Sequence, residues 1–346
     1  MKPLVSILIV NWNSKEHLKD CFESLFKISY ANYEVIMVDN GSVDDSVEFT
    51  EKNYPKVKII KSKKNLGFAG GNNFGLKACR GKYILFLNND TIVTKSFLDD
   101  LVDFIEKDEN LAIVQPTILF HRPNTPMHEK INSVGSFILK SGFLYHLDYG
   151  KTYKQSNYKD SYEIFTAYGA CFLVRRNLIG EIGLFDESYF AYFEETDFSH
   201  RVWLNGYKIK ILTKPLIYHK GGKTSEKLPS AFIQYHSFKN RLYTYLKNFE
   251  IKNIISILIP HLIICEVSSI LYLLIGKPGY SVAIQKAIFW NIFNFSKMLK
   301  ERKKVQKNIR KVNDDSFVNL LTRKVNIKYY YFLSSGNLEN YKDESR

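Results

Sequence analysis

The chain has 346 residues, which is long enough for two domains or for one large domain with an appendage. With 45% hydrophobic and 24% charged residues, its composition excludes a disordered, collagen-like or small disulfide-stabilised protein. The net charge of +14 is uneven, because residues 1–225 carry 29 basic and 26 acidic side chains whereas residues 226–346 carry 20 and 9. The basic surplus, which attracts phosphates, nucleic acid or an anionic membrane surface, therefore belongs to the last third of the chain.

The cysteines and the N-terminus indicate a cytoplasmic protein. The four cysteines are far apart and lack CxxC spacing; they are Cys21, Cys79, Cys171 and Cys265. This spacing argues against a zinc knuckle or a redox pair and indicates reduced thiols. The N-terminal apolar run of about seven residues ends at Asn11, which is too short and too soon polar for a signal peptide.

Short apolar runs alternate with helical patterns through the first third of the chain. The patterns predict strands over residues 5–10, 33–38, 57–61 and 83–87, and helices over 15–26, 46–53, 71–79 and 95–107. Each strand is apolar almost throughout, as expected for parallel strands that are covered on both faces. We therefore predict an α/β fold with a doubly wound sheet.

The remaining elements are less regular. We predict a strand over 112–114, an irregular insertion over 117–165 that could line a site, a strand over 168–174, a helix over 194–204 and an extended segment over 208–219. Aromatic and basic residues then interleave over 230–249, before an apolar stretch over 254–276 and a helical stretch over 282–299. The apolar stretch is long enough to span a bilayer, but Pro260, His261 and Glu266 lie in its middle, where one carboxylate costs roughly a few kcal/mol.

Polar residues follow four successive predicted strands. Ligands of α/β sheets bind beyond the carboxyl ends of the strands, so these residues are candidates for a binding site. The segments are Asn11 to Asn13, Asp39 to Ser42, Asn65 to Asn73, and Asn88 to Asp90. We expect them to converge on one crevice.

Each segment has a functional and a structural interpretation. Asp39 to Ser42 is also a turn sequence, and Asn88 to Asp90 also suits a helix cap. The glycines from Gly67 to Gly75 lack GxGxxG spacing, so they favour close backbone approach to a nucleotide over a dinucleotide fingerprint. The carboxylate after an apolar strand, Asp90, indicates a hard divalent cation that substrate phosphates would also bind.

Three carboxylates stand at the start of the 194–204 helix: Glu194, Glu195 and Asp197. They either complement the helix dipole, or one is held by the scaffold while another faces a cleft. A clustered carboxylate with a raised pKa would make a general base. His219, at the end of the extended segment, is either structural or a metal ligand.

The ordered set of motifs resembles the inverting family-2 glycosyltransferases of GT-A fold, particularly their rhamnosyltransferase-like branch. The matching segments follow the family's order across roughly residues 4–223 and are VSILIVNWNSKEHL, VIMVDNGSVDDS, NLGFAGGNNFGLKAC, YILFLNNDTIV, YGACFLVRR, IGLFDESYFAYFEETDFSHRVWLNGYKI and YHKGG. The resemblance covers the first two thirds of the chain.

The resemblance implies a role for each matching residue. Asp39 would read the nucleotide base, and Asp90 and His219 would bind Mg²⁺ or Mn²⁺. The catalytic base would be Glu195, which replaces an aspartate of the family, or its neighbour Glu194. The nucleoside and the diphosphate would be bound by the other matches, which are Asn11, Asn13, Asn65, Gly67, Gly71, Asn72, Asn88 and Asn89. Asn88 stands where the family's Asp-x-Asp has its first carboxylate.

The implied activity is transfer of a sugar, with inversion, from a nucleotide-diphospho-sugar to a hydroxyl of a saccharide or lipid-linked acceptor in cell-surface polysaccharide synthesis. The branch favours dTDP-rhamnose as the donor. One alternative is a degenerate relative that binds nucleotide-sugar without transferring it, because Asn88 and Glu195 depart from the family pattern. Another is a nucleic-acid-binding protein, which the charge distribution disfavours because the basic excess follows apolar helices.

The charge distribution also predicts two domains, a GT-A catalytic domain over 1–225 and a helical basic region over 226–346. We expect residues 230–311 to lie peripherally on the cytoplasmic face of the membrane, with the basic cluster over 297–311 against anionic headgroups. In the alternative, the apolar helices pack on the sheet or against a second subunit of a homo-oligomer.

Overall fold

The computed structural model describes residues 2–221, 229–335 and 337–341. Its strands are β1 (Val5–Asn11), β2 (Tyr33–Asp39), β3 (Val57–Lys61), β4 (Tyr83–Leu87), β5 (Thr91–Val93), β6 (Leu111–Phe120), β7 (Ile131–Ser133), β8 (Ser136–Leu139), β9 (Leu144–His146), β10 (Ser161–Glu163), β11 (Cys171–Arg175), β12 (Lys208–His219) and β13 (Thr322–Arg323). Its helices are α1 (Lys15–Leu25), α2 (Ser46–Asn53), α3 (Gly67–Leu76), α4 (Phe97–Ile105), α5 (Arg176–Ile182), α6 (Glu194–Leu204), α7 (Ser230–Asn248), α8 (Ile251–Leu274), α9 (Pro278–Phe293), α10 (Phe295–Lys304), α11 (Asp315–Leu321) and α12 (Ile327–Ser335).

A mixed sheet forms the centre of the molecule, with strands in the order β10-β12-β6-β11-β4-β1-β2-β3. Strands β1 to β4 are parallel, whereas β11 runs antiparallel to its neighbours β4 and β6. The short strands β5 and β7 extend the sheet by pairing with β12 and β6. The predicted α/β class with a doubly wound mixed sheet is confirmed.

Both faces of the sheet are covered, which explains why its strands are apolar throughout. Within β1, Ile7 and Ile9 pack in the core on one face, while Leu8 packs in the core on the other. The first core includes α1 and α4, and the second includes α6 and part of the C-terminal helices. Because successive side chains of a strand point to opposite faces, neither set of positions tolerates polar residues.

Three predicted elements differ from the structure. Helix α3 begins at Gly67, four residues earlier than predicted, because that glycine starts the helix from a left-handed conformation with φ of 73°. A Cβ atom at Gly67 would lie 2.2 Å from the carbonyl oxygen of Phe190, so only glycine fits there. The 117–165 segment, predicted to be irregular, holds the end of β6 and four short strands, β7 to β10. The predicted 282–299 helix is divided at Asn294 into α9 and α10.

The C-terminal region is joined to the rest of the protein by a strand and by a buried tyrosine. Strand β13 pairs in parallel with β8, where Thr322 faces Ile138. The buried hydroxyl of Tyr329 in α12 donates to the carbonyl oxygen of Leu144 in β9 at 2.7 Å. The predicted domain boundary between residues 225 and 226 lies outside the described residues.

The four cysteines are all buried and free. Burial raises the pKa of the Cys21 and Cys265 thiols to about 12, which keeps both side chains protonated at neutral pH. They serve as small apolar side chains of the core.

A buried carboxylate joins α6 to α7. Asp197 in α6 is inaccessible to solvent and accepts from Arg201 Nε at 2.9 Å and from Asn248 Nδ2 at 2.9 Å. The ammonium group of Lys247 in α7 lies 2.9 Å from the same carboxylate. Although burial opposes it, the charges of Lys247 and Arg201 hold the pKa of Asp197 well below its usual range.

We expect Lys247→Met to lower the free energy of unfolding by about 3–5 kcal/mol at pH 7, because it leaves part of a buried charge uncompensated. A depressed carboxyl pKa stabilises the fold above the unfolded pKa near ~4, and this contribution is lost as the pH falls. The difference between wild type and variant should therefore shrink below about pH 4. Urea unfolding monitored by circular dichroism measures both quantities.

The matched control is Lys252→Met, which removes the exposed partner of Asp315 and should lower the free energy of unfolding far less, because solvent screens that pair. Equal losses in the two variants would contradict the role given to the buried pair.

Candidate functional site

A cleft of about 420 Å³ opens at the carboxyl ends of the central strands. Its lining includes eight residues predicted from the sequence: Asn65, Gly67, Asn88, Asn89, Asp90, Glu194, Glu195 and His219. Segments that follow β1, β2, β3 and β4 meet there with the last residue of β12, as the sheet topology requires. The expected convergence of the strand ends on one crevice is therefore observed.

Three other predicted residues stand just outside the lining and shape its wall. The Asn11 side chain is buried, and its Oδ1 accepts from Asn89 Nδ2 at 2.7 Å. Asp39 accepts from the backbone N–H of Ser42 at 3.0 Å, and Asn13 Oδ1 accepts from the N–H of Val43 at 2.7 Å. Their predicted contacts with a nucleotide stay predictions.

Gly71 and Asn72 serve helix packing in this structure. A Cβ atom at Gly71 would lie 2.9 Å from Val10 Cγ1, so the glycine lets α3 approach β1 closely. The Asn72 side chain is buried and donates to the carbonyl oxygen of Phe68 at 2.9 Å. The predicted roles of both residues in nucleotide binding stay predictions.

The two structural alternatives from the sequence have different outcomes. Asp39 to Ser42 does form a turn, with Gly41 at a φ of 76°. Asn88 to Asp90 does not cap a helix, because it leads into β5, and α4 begins only after Ser96. The segment is therefore available to the cleft.

Strand register brings Asp90 beside His219. In the antiparallel pairing of β5 with β12, His219 faces Thr91, the residue after Asp90. His219 Nε2 lies 3.1 Å from Asp90 Oδ1, and both side chains are at most 5% exposed. On its other side, His219 Nδ1 lies 2.8 Å from Asn132 Oδ1, which positions the ring.

The hydrogen bond to Asn132 decides what His219 presents to the cleft. An amide oxygen only accepts, so Nδ1 donates its proton to Asn132, and Nε2 is the ring atom that faces Asp90. Nε2 is buried and has no hydrogen-bond partner among the residues that the structure describes. A lone pair and a carboxylate oxygen at this distance repel each other unless a proton or a cation lies between them.

The Asp90–His219 pair fits a divalent cation. Adjacent ligands of one octahedral ion lie about 3 Å apart, close to the observed separation. Burial opposes ionisation of Asp90, but the neighbouring His219 lowers its pKa below the ordinary value, so the carboxylate is charged. The described part of the chain holds no cluster of three or more His, Cys, Asp or Glu side chains suited to a metal. Water and phosphate oxygens would complete the coordination.

The first turn of α6 holds two carboxyl groups that share a proton. Burial, and next the charge of Glu195, raise the pKa of Glu194 well above its ordinary value. Burial raises the pKa of Glu195 to about 7, although the N–H groups of Glu195 and Thr196 oppose the rise. Glu194 is 4% exposed, whereas Glu195 is partly exposed to the cleft. The arrangement makes Glu194 the neutral partner and Glu195 the ionisable one.

The third carboxylate of this segment, Asp197, does not reach the cleft, because the charge network described above holds it. One of the three carboxylates is thus structural, and the other two line the cleft.

The structure adds lining residues that sequence patterns did not single out. They are Leu144, His146, Tyr168, Phe190, Ser237 and Arg241. Leu144 and His146 belong to the segment predicted to be irregular, which does line the cleft. Isolated aromatic or basic residues carry no spacing signal, and Asn132, which orients His219, has no motif around it.

Comparisons with known proteins identify the family of the chain. A family model described as glycosyl transferase family 2 matches residues 6–183, just over half of the chain. A low-salt glycan biosynthesis hexosyltransferase of Haloferax volcanii is 27% identical over 241 residues, which cover 68% of this chain and 74% of that protein. An N-acetylglucosaminyl-diphospho-decaprenol L-rhamnosyltransferase of Mycobacterium tuberculosis is 23% identical over 259 residues, covering 68% and 82%.

A solved structure shows the same fold. The mannosyltransferase PcManGT of Pyrobaculum calidifontis, in complex with GDP-Man and Mn²⁺, superposes with a TM-score of 0.53 at 12% identity. The superposition covers 99% of this chain and 89% of that one.

Proposed function

The chain belongs to glycosyl transferase family 2, and on that premise we propose that it moves a sugar, with inversion, from a nucleotide-diphospho-sugar to a hydroxyl of a saccharide or lipid-linked acceptor. The chain is a glycosyltransferase that acts on nucleotide sugars. The observation that carries the finer proposal is the presence, in one cleft, of the Glu194–Glu195 pair and the Asp90–His219 pair.

The proposed donor is dTDP-rhamnose. Its support is the resemblance of the motifs to the rhamnosyltransferase-like branch and the 23% identity to a protein named as an L-rhamnosyltransferase. Asp39, with Asn11 and Asn13 beside it, would hold the nucleoside next to the cleft.

The proposed base is Glu195. Its carboxylate removes the proton of the acceptor hydroxyl while that oxygen attacks the anomeric carbon from the face opposite the diphosphate. The new C–O bond forms as the bond to the diphosphate breaks, so the configuration inverts and no covalent intermediate with the protein arises. Glu194 stays protonated and neutral, so it does not repel the negative charge of the Glu195 carboxylate.

Asp90 and His219 would hold a divalent cation, Mg²⁺ or Mn²⁺. The chemistry that such an ion supplies here is neutralisation of the charge that develops on the departing diphosphate. Asn132 orients the ring of His219, and the backbone after β4 positions Asp90. Both side chains are therefore preorganised to bind the cation in the absence of substrate.

The proposed acceptor is reached at a membrane surface, because α8 exposes an apolar stripe. Residues four apart are exposed by 51–58% and are Ile255, Ile259, Ile263 and Val267. The opposite face is buried and includes the polar side chains of His261 and Ser269. By length and composition alone, this helix is the one in the described part of the chain suited to cross a membrane, and 22% of its most apolar stretch is buried.

Exposed lysines of another C-terminal helix suit anionic headgroups. Along α10 and the turn after it, Lys297, Lys300, Lys303, Lys304 and Lys307 are exposed. The arginines of the same segment are structural instead, since Arg302 donates to the carbonyl oxygens of Leu246 and Phe249. The exposed apolar stripe of α8, together with the exposed lysines of the C-terminal helices, favours a peripheral position on the cytoplasmic face of the membrane.

We expect the donor to be identified by a thermal-shift panel of dTDP-rhamnose, UDP-sugars and GDP-sugars with and without Mn²⁺. A bound donor at 100 times its dissociation constant stabilises the fold by about 2.7 kcal/mol. dTDP-rhamnose should give the largest shift, and Asp90→Asn should remove the part that depends on Mn²⁺. Asp20→Asn, an exposed partner of Lys220, should behave as wild type. A Mn²⁺-dependent shift that survives in Asp90→Asn would exclude the metal assignment.

We expect Glu195→Gln to lower kcat by about 10²–10⁴-fold, because it removes the base. Glu194→Gln should keep activity within about tenfold, because glutamine resembles the protonated acid that Glu194 already is. Transfer from the selected nucleotide-sugar, measured as release of the nucleoside diphosphate, checks both variants. The opposite order of effects would assign the base to Glu194, and donor binding without transfer in wild type would indicate the degenerate alternative.

The pH profile follows from the same pair. Because burial raises the pKa of Glu195 to about 7, the base is protonated below that pH, and kcat/KM should rise as the pH passes through it. An acidic limb near the ordinary carboxyl pKa of about 4.3 would contradict the assignment.

We expect the full chain to sediment with vesicles of anionic phospholipid and less with vesicles of phosphatidylcholine. Replacing Ile259 and Ile263 by serine should reduce sedimentation, and so should replacing Lys300 and Lys304 by glutamine, with the second effect lost at high salt. The control is Lys19→Gln, an exposed lysine of α1. Dimers that the serine substitutions dissociate, without vesicle binding, would show that a second copy covers the face.

A further inference from the structure

A cationic side chain of α7 lines the cleft without a counter-ion. Arg241 stacks its guanidinium over the rings of Phe143, Phe193 and Phe238, with its central carbon 4.6, 5.2 and 5.4 Å from their centres. Phe193 directly precedes the carboxylate pair of α6, so this charge lies beside the proposed base. Arg241 and Ser237, one helical turn earlier, both line the cleft.

The hydrogen-bonding capacity of Arg241 is largely unused. Nε and Nη1 are enclosed and have no partner among the described residues. Nη2 lies 3.4 Å from the Ser237 hydroxyl, which is a weak hydrogen bond. The accessible part of the head group is therefore around Nη2, with a second donor, the Ser237 hydroxyl, next to it.

Two other enclosed arginines are neutralised by carboxylates, whereas Arg241 has no carboxylate partner among the described residues. Arg201 pairs with Asp197, and Arg310 pairs with Asp314. Burial lowers the pKa of Arg241, and the neighbouring groups that oppose this are Tyr245, Cys265 and Tyr329, none of which is an acid. A buried charge without a partner costs several kcal/mol, which an anion bound in the cleft would recover.

The charge does not belong to the donor's side of the cleft. The donor diphosphate is assigned to Asp90 and His219, whose contacts come from β5, β7 and β12. Arg241 comes from α7 and touches Phe193, next to the base that faces the acceptor hydroxyl. An anion at Arg241 would therefore be part of the acceptor.

Two packed rings connect Arg241 with α8, the helix that carries the exposed apolar stripe. Phe143, which stacks on Arg241, also packs on the ring of His261 in α8 at 4.8 Å. His261 lies on the buried face of that helix, opposite Ile259 and Ile263. The anion site is thus joined by two rings to the inner face of the helix whose outer face carries the apolar stripe.

We propose that Arg241 and Ser237 bind a phosphate group of the acceptor, and that this phosphate links the acceptor sugar to an apolar chain lying along α8. The inference rests on the proposed function, because it assumes that the acceptor enters beside Glu195. Arginine suits a phosphate because its charged N–H groups donate strong hydrogen bonds to phosphate oxygens, and here Nη2 and the Ser237 hydroxyl supply the two donors.

Binding of farnesyl diphosphate, farnesol and inorganic pyrophosphate to the full chain tests the proposal by calorimetry, with dTDP and Mn²⁺ saturating the donor side. Wild type should bind farnesyl diphosphate at least about tenfold more tightly than the other two probes. Arg241→Gln should weaken farnesyl diphosphate by about 10–100-fold and leave farnesol unchanged, and Ser237→Ala should weaken it by a few fold.

Two controls separate this proposal from the folding of the variant and from the proposed function. Arg176→Gln removes the same charge at the opposite end of β11 and should bind as wild type. Glu195→Gln, which should be inactive, should still bind farnesyl diphosphate as wild type does. If Arg241→Gln does not fold, Arg241→Lys serves instead. It keeps the positive charge without the planar guanidinium and should retain only part of the affinity for farnesyl diphosphate.

The proposal is overturned if wild type does not distinguish farnesyl diphosphate from farnesol, or if the folded Arg241 variants bind it unchanged. It is also overturned if inorganic pyrophosphate binds as tightly and is lost equally in Arg241→Gln, since the site would then serve a free phosphate.

Discussion

The buried carboxylate of Asp197 is the constraint on which the cleft depends. It lies in the first turns of α6, two residues after Glu195, and its charge is neutralised by a residue of α7 as well as by one of its own helix. Moving α7 away would strand that charge in the core. One ionic contact therefore fixes the carboxylate pair of α6 and the Arg241 wall of α7 against each other.

The central strands could be predicted from the sequence because each is a short apolar run that the local sequence shows directly. Strand β4 is covered on both faces and apolar at every position, so 83–87 is observed as predicted, and the apolar residues of the edge strand β3 were enough to predict 57–61. The 117–165 segment was not readable, because strands of three or four residues, such as β7 and β9, carry too little pattern. Their positions depend on pairing with distant segments, such as β13, which no local signal reports.

The candidate site divides in the same way. Asp90, Glu195 and His219 stand at the ends of predicted elements, so their place in the cleft could be predicted from the sequence. Asn132 and Arg241 were missed, because a single amide or arginine gains meaning only from its neighbours in space: an imidazole in one case, three aromatic rings in the other. The packing role of Gly71, whose missing side chain allows close contact with Val10, was not predicted from the sequence either.

The pairing of β13 with β8 also constrains the order in which the molecule is made. Ile138 can pair with Thr322, and Leu144 can accept the hydrogen bond from Tyr329, only after those later residues have left the ribosome. One wall of the cleft therefore acquires these partners more than 180 residues after it has itself been synthesised. Contacts that close such long loops form late and slowly. The strands β1 to β4 can assemble long before that moment. A nascent chain thus holds strands β1 to β4 before it has a finished cleft, which delays activity until residues 322–329 have been synthesised.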